Sequence, residues 1–165
     1  MYETRRQLTL FISDQNEIIE KIRAEFNPIQ YQLIAAHITL CREDEIASID
    51  TVIANIKSIV LNKPLEIDFN PPLRFENGKG VLIPAKEQNS AFDELRKVVL
   101  KGINESPRKQ EAHLTLMHPR NSTCTDLIFE QILAYKLPVQ LSFNKISLIE
   151  QKDGGQWFTI EEFQI

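Results

Sequence analysis

The sequence predicts a two-lobed fold of mixed strand and helix, in which one strand–helix–strand–helix–strand unit occurs twice. Two observations carry this reading. Hydrophobic periodicity switches repeatedly between alternation and helical spacing, and the resulting element order recurs about 75 residues later along the chain. Residues 7–12 alternate and read as a strand. Asp14 followed by Glu17 has the form of a capping box, and Ile18, Ile19, Ile22 and Phe26 then recur at helical spacing until Pro28. Residues 35–41 read as a second strand. Ile46, Ile49, Ile53, Ile56 and Val60 form the longest helical stripe, with Asp44 as its expected cap, and residues 65–69 alternate again.

The middle of the chain, residues 71–83, reads as a hairpin in which Asn77-Gly78 supplies the two positive-φ positions of a type I′ turn. A helix is expected from about Ser90 through Phe92, Leu95, Val99 and Ile103, then a strand over 112–117 and a helix over 125–135. In that last helix Ile128, Phe129, Ile132 and Leu133 are expected to pack inward. Residues 139–149 and 156–160 read as strands joined through Asp153-Gly154-Gly155. The repeat units cover roughly 7–70 and 80–145 of a single domain spanning 1–165. Residues 64–69, PLEIDF, align with 138–143, PVQLSF, keeping Pro and Phe in place.

Composition narrows the function. Hydrophobic residues make up 42% and charged residues 25%, enough apolar material to offset the entropy of ordering the chain. The net charge of −4 argues against a protein that grips long nucleic acid, because that affinity comes from neutralising many phosphates at once. No extended nucleic-acid surface is expected; a local cluster of cations around one phosphate is. No signal-peptide pattern and no membrane-length apolar run are visible, and Cys41 and Cys124 form no CxxC, so a cytoplasmic protein without membrane contact is expected.

Two of the three histidines open the same tetrapeptide, His37-Ile38-Thr39-Leu40 and His113-Leu114-Thr115-Leu116, at matching strands of the two units. By composition, roughly one shuffled chain in ten thousand repeats this form at two of its histidines, so coincidence explains little. On a strand, residues i and i+2 share a face, which sets His37 with Thr39 and His113 with Thr115, opposite the apolar Ala36, Ile38, Leu40 and Ala112, Leu114, Leu116. If the units face one another, two imidazoles meet across a cleft. One is suited to take a proton from water and the other to protonate a leaving oxygen, which is what metal-free phosphodiester hydrolysis needs. The threonine hydroxyls are placed to bond the non-bridging phosphate oxygens.

The paired motifs resemble the two-histidine (2H) phosphoesterase superfamily, with its 2′-5′ RNA ligase-like proteins and 2′,3′-cyclic nucleotide phosphodiesterases. That resemblance implies a bilobal α+β fold, with antiparallel sheets and helices around a central cleft, and no metal requirement. It implies catalytic roles for His37, Thr39, His113 and Thr115. The expected substrate is a nucleotide or RNA end carrying a 2′,3′-cyclic phosphate, opened by hydrolysis. The alternatives are 2′-5′ ligation or cleavage at the same site, or a module that binds a phosphate ligand without turnover. This sequence departs from the commonest members just after each motif, where Arg42-Glu43-Asp44 and His118-Pro119-Arg120 stand in place of apolar or aromatic residues.

Arg42, Arg120, Lys79 and Lys86 are the candidate phosphate contacts from the rim. His118 reads as a loop residue. Trp157, Phe158 and Phe75 are candidates for stacking on a base. The histidines lack metal-ligand spacing, so neither a metal nor another cofactor is expected. Cys41 falls on the His37 face by alternation, with Met117 in the matching place, and both are read as packing in the cleft wall.

Overall fold

A computed structural model describes residues 3–75 and 77–165. Met1, Tyr2 and Glu76, the last within the expected hairpin, lie outside the described residues. The order is β1 (Thr4–Phe11), α1 (Glu17–Phe26), α2 (Pro28–Leu33), β2 (His37–Cys41), a 3₁₀ turn (Glu43–Glu45), α3 (Ile49–Lys57), β3 (Leu65–Asp68), β4 (Leu73–Arg74), β5 (Val81–Pro84), α4 (Ser90–Val99), β6 (His113–Met117), α5 (Asp126–Leu133), β7 (Gln140–Phe143), β8 (Lys145–Lys152) and β9 (Trp157–Gln164). It is the α+β fold expected, with all strand pairs antiparallel.

The strands do not divide into one sheet per unit. They form a seven-stranded sheet in the order β4-β5-β6-β2-β1-β8-β9 and a two-stranded sheet of β3 with β7. The junction of the two units is the pairing of β2 with β6, registered through Ile38 and Leu114. These residues hold the same place in the two motifs, so an approximate two-fold axis passes between them. The small sheet obeys the same axis. Leu65 pairs with Phe143, while at the other end the Phe69 amide donates to the Val139 carbonyl at 2.9 Å. The third strands of the two units thus pair with each other.

One apolar cluster underlies both sheets. It includes Leu8, Leu10, Ile19, Ile22, Ile38, Leu40, Val52, Ile56, Phe92, Val99, Leu114, Leu116 and Ile132, and it is formed by the inward stripes of every helix except the short α2. Burying these side chains is the main force holding the units together.

Several local expectations change. The cap of α1 is Asn16, whose Oδ1 accepts from the Ile19 amide at 3.2 Å, and not Asp14. Pro28 ends α1 but also opens α2, where its missing N–H is no loss. Asp44 sits in the 3₁₀ turn, α3 starts only at Ile49, and Val60 lies beyond its end, exposed. Leu133 is exposed because α5 turns only Ile132 fully inward. Gly78 has positive φ (70°), and the Asn77 side chain accepts from the Lys79 amide at 2.9 Å. A paired positive-φ turn occurs at Asp153-Gly154 (51° and 72°), closing the β8–β9 hairpin. The single late strand is two, β7 and β8, belonging to different sheets.

Gly80 is the tightest backbone approach. A Cβ there would lie 2.5 Å from the Met117 carbonyl oxygen and 2.9 Å from the Pro119 ring. Gly80→Ala is therefore expected to push β5 away from the end of β6 and cost about 1–3 kcal/mol, read as a lowered midpoint in urea unfolding.

Candidate active site

The alternation of the two H-x-T-L strands works as the residue pattern requires. Ile38, Leu40, Leu114 and Leu116 are buried in the core, and the motif histidines and threonines are half-buried on the other face. Continuing the Ile38–Leu114 register sets His37 opposite Thr115 and Thr39 opposite His113. The two histidines are then diagonal neighbours, about 7–8 Å apart and somewhat closer at Cβ, which leaves room for a tetrahedral group between their ring tips.

Both rings are held alike. His37 Nδ1 lies 2.8 Å from the Ala35 carbonyl and His113 Nδ1 lies 3.0 Å from the Glu111 carbonyl, in each case two residues back. A carbonyl only accepts, so Nδ1 carries the proton in each ring, and in the neutral form Nε2 keeps its lone pair. Phe11 meets the His37 ring edge-on, with centroids 6.1 Å apart. The hydroxyls of Thr39 and Thr115 make no hydrogen bond among the described residues, so both remain available to a ligand.

These four side chains line a cavity of about 160 Å³ together with Arg5, Gln7, Arg23, Gln30, Ile34, His118, Arg120 and Trp157. Among the described residues no carboxylate is in that lining. A chain of net charge −4 thus presents three arginines and three histidines around one phosphate-sized space. The field there favours an anion in spite of the overall charge.

Burial pulls the His37 pKa down to about 4. The Ala35 carbonyl opposes this, while the Arg23 cation and the imidazoles of His113 and His118 add to it. His118 is also lowered, by burial first and then by the charges of Arg120 and His113. Its Nδ1 accepts from the Arg120 amide at 3.1 Å, so the neutral ring carries its proton on Nε2, the reverse of the motif histidines. The loop bearing His118 and Arg120 is stitched to the α1–α2 junction. Asn27 Oδ1 accepts from the His118 amide at 2.7 Å, and Asn27 Nδ2 donates to Asn121 Oδ1 at 2.9 Å.

Of the rim candidates, Arg120 lines the cavity and has no side-chain partner among the described residues. Arg42 and Lys79 are exposed and outside it, at the 3₁₀ turn and the β4–β5 loop. Lys86 lines a neighbouring cavity that also touches His113. Trp157 is in the lining, with Arg5 stacked 5.6 Å from its ring centroid, whereas Phe158 and Phe75 are not. Cys41 is not in the cleft wall. It is fully buried with Sγ 3.7 Å from Arg96, and burial pushes its thiol up to about 12, which rules out a thiolate nucleophile near neutrality. Met117 is likewise buried outside the cavity. Among the described residues no group of three or more His, Cys, Asp or Glu side chains is placed to hold a metal ion, and no helix is long and apolar enough to cross a membrane.

Sequence reading missed Arg23, Arg5, Gln7 and Gln30. A signal existed for Arg23 alone: it follows Ile22 on the apolar side of α1, where an arginine needs a buried partner.

A family model described as the 2′-5′ RNA ligase superfamily matches residues 11–155, nearly the whole chain and both motifs. The chain belongs to the 2′-5′ RNA ligase superfamily. Solved structures agree on the fold. Escherichia coli LigT in its apo form is 14% identical with a TM-score of 0.60, covering 99% of this chain and 98% of that one. LigT complexed with 3′-AMP is 12% identical with a TM-score of 0.57, covering 98% of each chain. TT0787 of Thermus thermophilus is 15% identical with a TM-score of 0.59, covering 97% of each. No curated protein matches this superfamily member significantly.

The depressed His37 pKa carries a stability consequence. The unfolded imidazole titrates near 6.5 and the folded one near 4, so the unfolded state binds more protons between those values. The stabilisation from keeping His37 neutral is complete above 6.5 and is lost as pH falls through 4. Unfolding midpoints measured at pH 7 and pH 4 are expected to fall further in the wild type than in His37→Gln, which has no proton to take up.

Proposed function

We propose that this protein hydrolyses a phosphodiester without metal, using His37 and His113 as base and acid, and that its substrate is a nucleotide or RNA end with a 2′,3′-cyclic phosphate. The observation that carries this reading is the pair of imidazoles lining a carboxylate-free, arginine-lined space, each with Nδ1 pinned to backbone and Nε2 left without a partner among the described residues. A binding module needs the arginines and hydroxyls; it does not need two rings with fixed tautomers.

The roles follow from electrostatics. His37 is the ring kept neutral, so its Nε2 accepts a proton from water as the water oxygen bonds to phosphorus. His113 in its protonated form donates from Nε2 to the ribose oxygen as the P–O bond of the cyclic ester breaks. The proton gained by His37 and the proton lost by His113 balance, and solvent exchange resets the pair. Thr39 and Thr115 donate to the non-bridging oxygens, and Arg120 with Arg5 offsets the charge that builds on them. A space of about 160 Å³ takes the phosphate and little more, so the nucleoside must extend outwards. The adjoining cavity of about 500 Å³ shares Ile34 and Trp157 with the site and adds Tyr31 and Phe11, a surface suited to stacking a base. That LigT has been solved in complex with 3′-AMP and with ATP supports a nucleotide as the ligand class.

The same groups acting in the same direction on a 5′-hydroxyl in place of water would form a bond from that oxygen to phosphorus as the 3′ oxygen leaves and is protonated, giving a 2′-5′ linkage. The superfamily's description favours keeping that reaction in view.

Turnover of 2′,3′-cyclic mononucleotides and of a short RNA ending in a cyclic phosphate, measured in EDTA, tests the proposal. Wild type should be active, with His37→Ala and His113→Ala each reducing kcat by about 10²–10⁴-fold. Absence of turnover on every such substrate would sink it. The role assignment has its own check. The acidic limb of kcat/KM, which reports the free enzyme, should lie near pH 4; a limb near 6.5 would remove His37 as the base.

A further inference from the structure

The two halves hold their histidine strands with a buried arginine each, but in different ways. Arg23 of α1 is 2% exposed; its Nη2 donates to the Ile34 carbonyl at 2.7 Å and its Nη1 pairs with Glu20 Oε1. The other carboxylate oxygen, Glu20 Oε2, accepts from the Ala36 amide at 3.3 Å. The Ala36 carbonyl is in turn fixed by the Ile12 amide at 3.2 Å. Ala35, lying between these anchored residues, supplies the carbonyl that holds His37 Nδ1.

In the second unit Arg96 of α4 holds the matching place and donates to the Arg108 carbonyl at 2.9 Å. Its carboxylate partner is Glu45, at 2.6 Å, from the 3₁₀ turn of the first unit. Arg96 also donates to the Leu40 carbonyl at 2.6 Å and does not line the cavity. Arg96 therefore ties the units together, while Arg23 reaches the reaction space itself.

We infer that Glu20 and Arg23 are positioning residues for His37: together they clamp the backbone on both sides of Ala35, so that its carbonyl fixes the ring with Nε2 towards the phosphate. This rests on the reading of His37 as half of a catalytic pair. The clamp acts before substrate arrives, because every bond in it is made within the protein. Arg23 adds a second effect through its charge, which opposes protonation of the ring it aligns. The other charged or titratable groups around His37 are Arg5 of β1, His113 of β6, and His118 and Arg120 of the loop after β6. None of these contacts the Ile34–Ala36 segment through a hydrogen bond among the described residues. Of the charged side chains around His37, only Glu20 and Arg23 hold the segment whose Ala35 carbonyl sets the tautomer.

Long-range ¹H–¹⁵N spectra of the imidazoles, recorded through a pH titration, read tautomer and pKa separately for each ring. Arg23→Gln should convert His37 from a single Nδ1–H tautomer to a mixture and raise its pKa by about one unit. The His113 ring, held by the Glu111 carbonyl, should keep its single Nδ1–H tautomer. Arg23→Lys should keep the charge and so the low pKa, yet lose the tautomer, because one ammonium cannot serve both partners as the forked guanidinium does. Glu20→Gln, which keeps an acceptor for the Ala36 amide, should leave Arg23 unneutralised and lower the His37 pKa further. In turnover assays Arg23→Gln should lower kcat by about 10–100-fold with a smaller change in KM.

Folded Arg23→Gln with wild-type His37 tautomer and pKa would overturn the inference. Should that variant not fold, Arg23→Lys with an unmixed tautomer, or Glu20→Gln with an unchanged pKa, would do the same. A wild type inactive on all phosphodiesters would remove the functional reading, while the imidazole spectra would still decide whether the clamp exists.

Discussion

The site depends on one antiparallel contact, the pairing of Ile38 with Leu114 across the approximate two-fold axis. Because side chains alternate along a strand, fixing this pair in the core sends the residues on either side of it to the opposite face. That single register brings four residues from two distant stretches of chain into one square, each histidine beside the other strand's threonine. A slip of one residue would bury the imidazoles and expose the leucines. The energy that holds the register is therefore the burial of Ile38, Leu40, Leu114 and Leu116, not any interaction among the functional groups.

Symmetry sets the geometry, and departures from it set the chemistry. Two equivalent imidazoles would share a proton evenly and offer no defined direction of transfer. Here the surroundings differ. Arg23 stands at the cavity behind His37, whereas its counterpart Arg96 turns away to bind Glu45, Leu40 and Arg108. The strands added outside the repeat contribute unequally too. β8 flanks β1 and carries β9 beyond it, whose Trp157 reaches the site, while β4, on the far edge, brings nothing to it. The Arg96–Glu45 pair illustrates the cost of such burial. Desolvation alone would raise the Glu45 carboxyl, yet hydrogen bonds from Arg96 and the Arg42 amide hold it below its ordinary value.

The repeat and the four motif residues were legible in the sequence because both rest on periodicity, and strand alternation states which side chains share a face. Local turn chemistry was less legible. Asn77-Gly78 and Asp153-Gly154 look alike as dipeptides, yet the first lies between short strands and the second joins two long ones, where paired positive φ fits their twist. The rim was least legible. Arg42, Lys79 and Arg120 are alike as loop cations near a motif or hairpin, and only Arg120 reaches the cavity, because Asn27 ties its loop to the α1–α2 junction. Arg5, Gln7 and Gln30 arrive from β1 and α2 through contacts between elements that no local pattern encodes. The union of both units into one large sheet was hidden for the same reason: each strand pattern states that a strand exists, and only the partner decides its sheet.

A double-mutant cycle on turnover of a 2′,3′-cyclic mononucleotide in EDTA, using His37→Ala, His113→Ala and the double variant, tests most directly whether the two rings act as one unit. If they move protons in a single concerted step, the double variant should be no slower than the slower single variant, because removing either ring already disables the transfer. Losses that multiply instead would show two independent contributions and contradict the paired acid–base account.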